Sequence, residues 1–187
     1  MNPIKDKTDI SGLLGEKLSV RKINGNVVIK NRPRRKVVSD PSPAQEAVTE
    51  RLTEAAKWAA IQMKKPDVKA LYATGITGKK KSAFLVAIAD YATSPKVSNI
   101  DVLFYKGAVG DTITTKAVDD FAVTQVLFTI TDAKGKLIES GPATQDPDKG
   151  HQWNYTATVA NSSLTGTKIS VMAFDRPGNK GFLERVL

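Results

Sequence analysis

The chain has 187 residues, with 28 Lys/Arg against 19 Asp/Glu, a formal net charge of +9, one His and no Cys. Without Cys there are no disulfides, thiolate metal sites or Cys nucleophiles, and a zinc site would have to rest on one imidazole and carboxylates. The charge is uneven: residues 1–95 carry eighteen Lys/Arg and nine Asp/Glu, residues 96–187 ten of each, so a basic, partner-seeking half precedes a neutral one.

The start, Met1-Asn2-Pro3-Ile4-Lys5-Asp6-Lys7, lacks an apolar h-region, and no run approaches a membrane span. The expectation is a soluble protein made in the cytoplasm without an ordinary secretory signal, with release by a non-classical route left open. Ile10 to Gly15 is short and bracketed by glycines, with Leu13 and Leu14 needing burial. Lys17–Ile23 and Asn26–Lys30 flank Asn24-Gly25, the dipeptide that tolerates a type I′ turn, and predict a β-hairpin. Leu18, Val20, Val27 and Ile29 give it an apolar face, which an isolated hairpin must pack against something else. Arg32-Pro33-Arg34-Arg35-Lys36 and the Pro41/Pro43 stretch read as an extended basic linker.

Ser42-Pro43-Ala44-Gln45 is a helix start, with Ser as N-cap, Pro in the first turn and Gln placed to reach back. Val48, Leu52, Ala55, Ala59 and Met63 recur at helical spacing, and Trp58 and Ile61 lie off that stripe. Lys65-Pro66 ends the helix. A short second helix begins at Pro66 and closes at Gly75, and Phe84, Ala87, Ile88 and Tyr91 predict a third after the Lys79-Lys80-Lys81 run, with a buried strand as the alternative.

Beyond Pro95 short β-type runs alternate with turn signals, the spacing of an all-β sandwich. Seven strands are expected, over 100–104, 111–117, 125–130, 136–139, 152–157, 168–173 and 181–187. Gly110-Asp111-Thr112-Ile113, Ala117-Val118-Asp119-Asp120, Gly166-Thr167-Lys168-Ile169 and Ala173-Phe174-Asp175-Arg176-Pro177-Gly178-Asn179 resemble the bacterial immunoglobulin-like repeats of surface and phage-associated proteins. The resemblance covers about half of the chain and implies display, adhesion or assembly. The first half resembles an uncharacterised bacterial group with a Gly-rich start, an Asn-Gly hairpin, an Arg-Pro and a Pro-x-x-x-Gln helix start, here Pro41 to Gln45. That likeness carries no activity.

No catalytic signature emerges. His151, in Asp146-Pro147-Asp148-Lys149-Gly150-His151, reads as a solvated turn residue, because one His cannot supply a triad's geometry. Gly75-Ile76-Thr77-Gly78-Lys79-Lys80-Lys81 lacks the full phosphate-loop spacing and reads as a Lys-rich turn. Asp119, Asp120 and Asp175 raise the question of calcium, but three carboxylates fall short of six to eight oxygens. Turn capping is the expectation there.

The chain is therefore expected to be α+β: a basic hairpin arm over 1–41, a helical unit over 42–95, and a seven-stranded immunoglobulin-like sandwich over 96–187. Its expected role is that of a non-enzymatic structural subunit, without a cofactor or small-molecule substrate, assembling with itself into an oligomer or filament. Val27 and Ile29 would dock as a strand, and Arg34, Arg35 and Lys36 would match charge on a neighbour, including Asp119, Asp120, Asp146 and Asp148. The alternatives are sequence-indifferent nucleic-acid binding through Arg32, Lys79, Lys80 and Lys81 and a monomeric scaffold for another protein.

Overall fold

The computed structural model describes residues 12–14, 18–23, 26–31 and 40–187. The chain divides into two compact units, Met1–Ser42 and Pro43–Leu187. The first holds an antiparallel sheet in the order β1 (Gly12–Leu14), β2 (Leu18–Ile23), β3 (Asn26–Asn31). Ile23 pairs with Asn26, leaving the two-residue connection that Asn24-Gly25 predicts; those two residues lie outside the described ones. The glycine-bracketed leucines add a strand that the hairpin reading did not contain, with Leu14 opposite Leu18. Val20 pairs with Ile29, so both lie on one face; Val20 is buried, whereas Val27 and Ile29 are 52% and 58% exposed.

In the second unit, α1 (Pro43–Gln62) starts at the proline that follows Ser42. Helix α2 (Pro66–Ala73) also opens on a proline, which needs no hydrogen-bond partner for its nitrogen in the first turn. Helix α3 (Ala83–Ala92) is capped by Ser82, whose Oγ accepts from the Leu85 amide at 3.3 Å. Its helical spacing thus prevails over the strand alternative. Ala59, Tyr72, Ala83, Val86 and Ala87 are buried together, with Trp58, Met63, Val68, Ile88 and Phe121 packed around them. The apolar stripe of α1 is only partly used: Ala55 and Ala59 are buried, but Val48 and Leu52 stand 60% and 49% exposed. Helix α1 has 20 residues and α3 has 10, about 30 Å against about 15 Å at 1.5 Å per residue, so the shorter helix cannot cover the longer. Trp58, off the stripe, makes the contact instead.

Residues 96–187 form two antiparallel four-stranded sheets. The strands are β4 (Lys96–Asp101), β5 (Thr112–Val118), β6 (Val123–Thr131), β7 (Leu137–Pro142), β8 (Thr144–Gln145), β9 (Gln152–Thr156), β10 (Lys168–Asp175) and β11 (Lys180–Val186). One sheet runs β11-β10-β6-β7 and the other β4-β5-β9-β8. The eighth strand beyond the expected seven is the two-residue β8. Alternation in β6, β9 and β10 sends Val126, Phe128, Ile130, Trp153, Tyr155, Ile169, Val171 and Ala173 into the shared core. Phe128 and Tyr155 stack across it, with ring centroids 5.1 Å apart.

The expected first strand is corrected. It begins at Lys96 and stops at Asp101, whose Oδ1 accepts from the Leu103 amide at 3.0 Å and turns the backbone. Leu103 and Phe104, expected as strand residues, are 65% and 69% exposed in that turn. The expected boundary near residue 95 falls inside the second compact unit.

Two contacts knit this unit. Glu139 is buried, and its Oε2 accepts from Tyr155 Oη, the Thr158 amide and Thr158 Oγ1, each at 2.8 Å. Burial, together with that bond, raises Tyr155 to about 12. Gly181 of β11 lies against the chain entering β4, where an added Cβ would sit 2.1 Å from the Pro95 carbonyl oxygen. Gly181→Ala is therefore expected to cost at least about 1–3 kcal/mol through overpacking against backbone. Urea unfolding checks this, and an unchanged midpoint would show that the two strands separate freely.

Candidate functional site

Three carboxyl groups far apart in sequence meet where the helices join the sandwich. Asp90 lies in the last turn of α3, Asp119 directly follows β5, and Asp175 ends β10. Each offers an oxygen within 4.8 Å of the others. Asp90 is fully buried, Asp175 is 4% exposed, and Asp119 is half-buried.

The turn after β10 holds this arrangement. Asp175 Oδ1 accepts from the amides of Gly178 at 2.8 Å and Asn179 at 2.6 Å. Gly178 has φ +97°, a left-handed conformation that favours glycine. The turn aims Asn179 Nδ2 at Asp175 Oδ2, 2.7 Å away, and at the carbonyl oxygens of Tyr91 at 3.1 Å, Thr93 at 3.3 Å and Asp90 at 3.4 Å. Carbonyls at a helix C-terminus lack intrahelical donors. Asn179 thus caps α3 from the sandwich side and ties it to Asp175.

From the helical side, Tyr72 of α2 donates its hydroxyl to Asp90 Oδ2 at 2.5 Å. Its ring lies 4.7 Å from that of Phe121 and 6.2 Å from that of Trp58, which also meets Tyr91 at 5.5 Å. This aromatic collar keeps water from Asp90. Burial raises the Asp90 carboxyl to about 7; the Tyr72 hydrogen bond opposes the shift, and Asp119 and Asp175 reinforce it. Burial likewise raises Asp175, against the donors from its own turn. Two oxygens at the junction, Asp90 Oδ1 and Asp119 Oδ1, are buried without a hydrogen-bond partner.

Among the described residues, these three carboxylates are the ones best placed to hold a metal ion. The sequence grouped Asp119 and Asp175 with Asp120, but the structure substitutes Asp90. Asp120 instead forms an ion pair with Lys80 at 2.5 Å. Asp90 was missed because it reads as one polar residue in an apolar helix, and only its isolation among apolar neighbours signalled a special role. Lys79 and Lys81 are exposed, so Lys80 is drawn out of the basic run. His151 is exposed, as expected of a turn residue, and lines a cleft of about 310 Å³ with Asp119, Phe121 and Gln145.

Val27 and Ile29 lie exposed on β3, while Arg32, Arg34, Arg35 and Lys36 lie outside the described residues. The acids expected to receive the arm's charge are largely engaged. Asp119 joins the cluster, Asp120 pairs with Lys80, and Asp146 Oδ1 accepts from the amides of Asp148 at 3.0 Å and Lys149 at 3.1 Å. Among the described residues no helix is long and apolar enough to cross a membrane.

No protein-family model and no curated protein matches the chain. Among solved structures, CopC from Methylosinus trichosporium OB3b is similar over 48% of this chain and 87% of its own, at 12% identity and a TM-score of 0.36. A tetra-tandem repeat in the extending region of a large adhesion protein is similar over 50% of this chain and 24% of its own, at 21% identity and a TM-score of 0.37. Likenesses this distant carry no functional argument. The sandwich rests on its own sheet pairing.

Removing the junction carboxamide should loosen α3. Asn179→Ala is expected to cost about 1–3 kcal/mol and to raise the protease sensitivity of residues 83–95 before the sandwich unfolds; equal sensitivity in both proteins would refute the capping role. A second expectation concerns pH. A carboxyl raised in the folded state contributes stability below the usual aspartate range, and that contribution is lost as pH rises to about 7. The groups facing Asp90 are Tyr72, Asp119 and Asp175, with Arg176 acting on Tyr72. In chelator, the melting temperature of Asp90→Asn relative to the parent should therefore rise between pH 5 and pH 8. A pH-independent difference would mean that Asp90 titrates normally.

Proposed function

We propose that the chain is a non-enzymatic structural subunit that joins copies of itself into an oligomer or filament, strand β3 of one copy docking on the sandwich of the next. The observation that carries this reading is the exposed pair Val27 and Ile29 on a terminal strand of a sheet that is compact apart from the rest of the chain. Such an edge presents backbone donors and acceptors to a neighbour, and alternate side chains read the groove they enter.

The sandwich offers a suitable receiving surface. Strand β7 ends one sheet and β8 the other, and each presents an edge to which such a strand can add. Strand docking outweighs charge matching, because Asp120 and Asp146 already have partners within their own copy and Asp119 is drawn in beside Asp90 and Asp175. Counted within the sandwich, one sheet runs first-second-sixth-fifth and the other eighth-seventh-third-fourth, an order that supports an immunoglobulin-like reading. This supports the display and assembly role that the sequence motifs imply.

Light scattering coupled to size exclusion, on nuclease-treated protein at about 50 mM and about 500 mM salt, tests the proposal. Large species that persist at high salt are expected, along with a folded monomer after deletion of residues 1–36 or after Val27→Asp with Ile29→Asp. An unchanged oligomer in both variants would remove the arm from the contact. A monomeric parent that gains mass only with added nucleic acid at low salt would transfer the role to the basic residues, Lys79 and Lys81 among them.

A further inference from the structure

We infer that Asp90, Asp119 and Asp175 hold one hard divalent cation, calcium or magnesium, that links helix α3 to two loops of the sandwich. The three contribute oxygens within 4.8 Å of one another, but proximity alone does not make a site. The second observation is the fully buried Asp90, whose Oδ1 has no hydrogen-bond partner, like the buried Oδ1 of Asp119. Buried polar oxygens are normally satisfied, and buried charges are paired or bound to metal. Neither of the ion pairs among the described residues, Lys80–Asp120 and Lys168–Glu184, reaches the cluster. Among the described residues, therefore, no ion pair offsets the three neighbouring acids.

The remaining oxygens are already oriented. Tyr72 Oη holds Asp90 Oδ2, while the Gly178 and Asn179 amides and Asn179 Nδ2 hold Asp175 from the outside. Donors behind the ligands fix carboxylates in this way around metals. All three ligands are carboxylate oxygens, which favours calcium or magnesium over softer ions. Asp119, alone of the three, lines the cleft of about 310 Å³ beside Phe121 and His151, so the ion's approach from solvent is on the Asp119 side, and waters complete either coordination shell. The cation acts as a cross-link within one copy, so this inference stands independently of the assembly reading.

The test uses the full chain, stripped with EDTA and dialysed at pH 8, then titrated with calcium or magnesium chloride. Thermal unfolding and sensitised terbium luminescence, excited through Trp58 and Tyr72, are the readouts. At a hundredfold excess over Kd, melting should rise by roughly 5–10 °C, saturably and with one ion per chain by equilibrium dialysis. Either cation achieving this supports the site, and the more effective one identifies the ion. Asp90→Asn and the less buried Asp119→Asn should each abolish both responses while circular dichroism stays native. No response to either cation in the native parent would overturn the inference and leave a shared proton as the neutralising partner. A response that persists in both native variants would overturn it too, by placing the ion elsewhere.

Discussion

The carboxamide of Asn179 is the constraint on which the second unit depends. Its Nδ2 reaches three carbonyls at the end of α3 and the carboxylate of Asp175 at once, so a helix end that would otherwise lack donors is completed by a strand turn. That bond set brings Asp90 against Asp119 and Asp175 and lets Tyr72 reach Asp90. Phe121 enters the helical cluster from the loop after β5, and Lys80 grips Asp120 beside it. Helices too short to stand alone thereby gain a core shared with the sandwich.

The sandwich tolerates this arrangement because its own core is independent of it. Phe128 and Tyr155 stack between the sheets, and Ile113, Ile130, Ile169 and Val171 close around them. Arg185 Nη1 donates to the Ile100 carbonyl at 2.7 Å, joining the edge strands β11 and β4. Asp90, Asp119 and Asp175 sit at one end of the sandwich, where loops replace ladders and a carboxyl can be held by chosen donors, whereas the buried Glu139 lies in β7 opposite Ile130 near the other end of β6. The arm follows different physics. It exposes apolar side chains and an open strand edge, features that reward pairing with another chain.

Much of this architecture was legible from the residues. Ser42-Pro43, Pro66 and Asn24-Gly25 placed element starts through local backbone chemistry. The alternation of Val126, Phe128 and Ile130, and of Trp153 and Tyr155, placed the sandwich core. The stripe on α1 was legible only in part, since which of its apolar residues are covered depends on the length of α3 and on nothing within α1. Leu103 and Phe104 misled for a related reason: their β propensity lost to the turn made by the Asp101 side chain.

The sequence by itself determined the periodicities, the helix starts, the basic half and the absence of thiol chemistry, because each depends on side chains near one another along the chain. Only tertiary structure decided that Asp90, rather than Asp120, joins Asp119 and Asp175, that Lys80 leaves the basic run, and that Glu139 is buried on three donors. These depend on which residues, distant in sequence, the sheets and helices bring together. A polar residue's partner is set by distance in space, and local patterning carries no record of that distance.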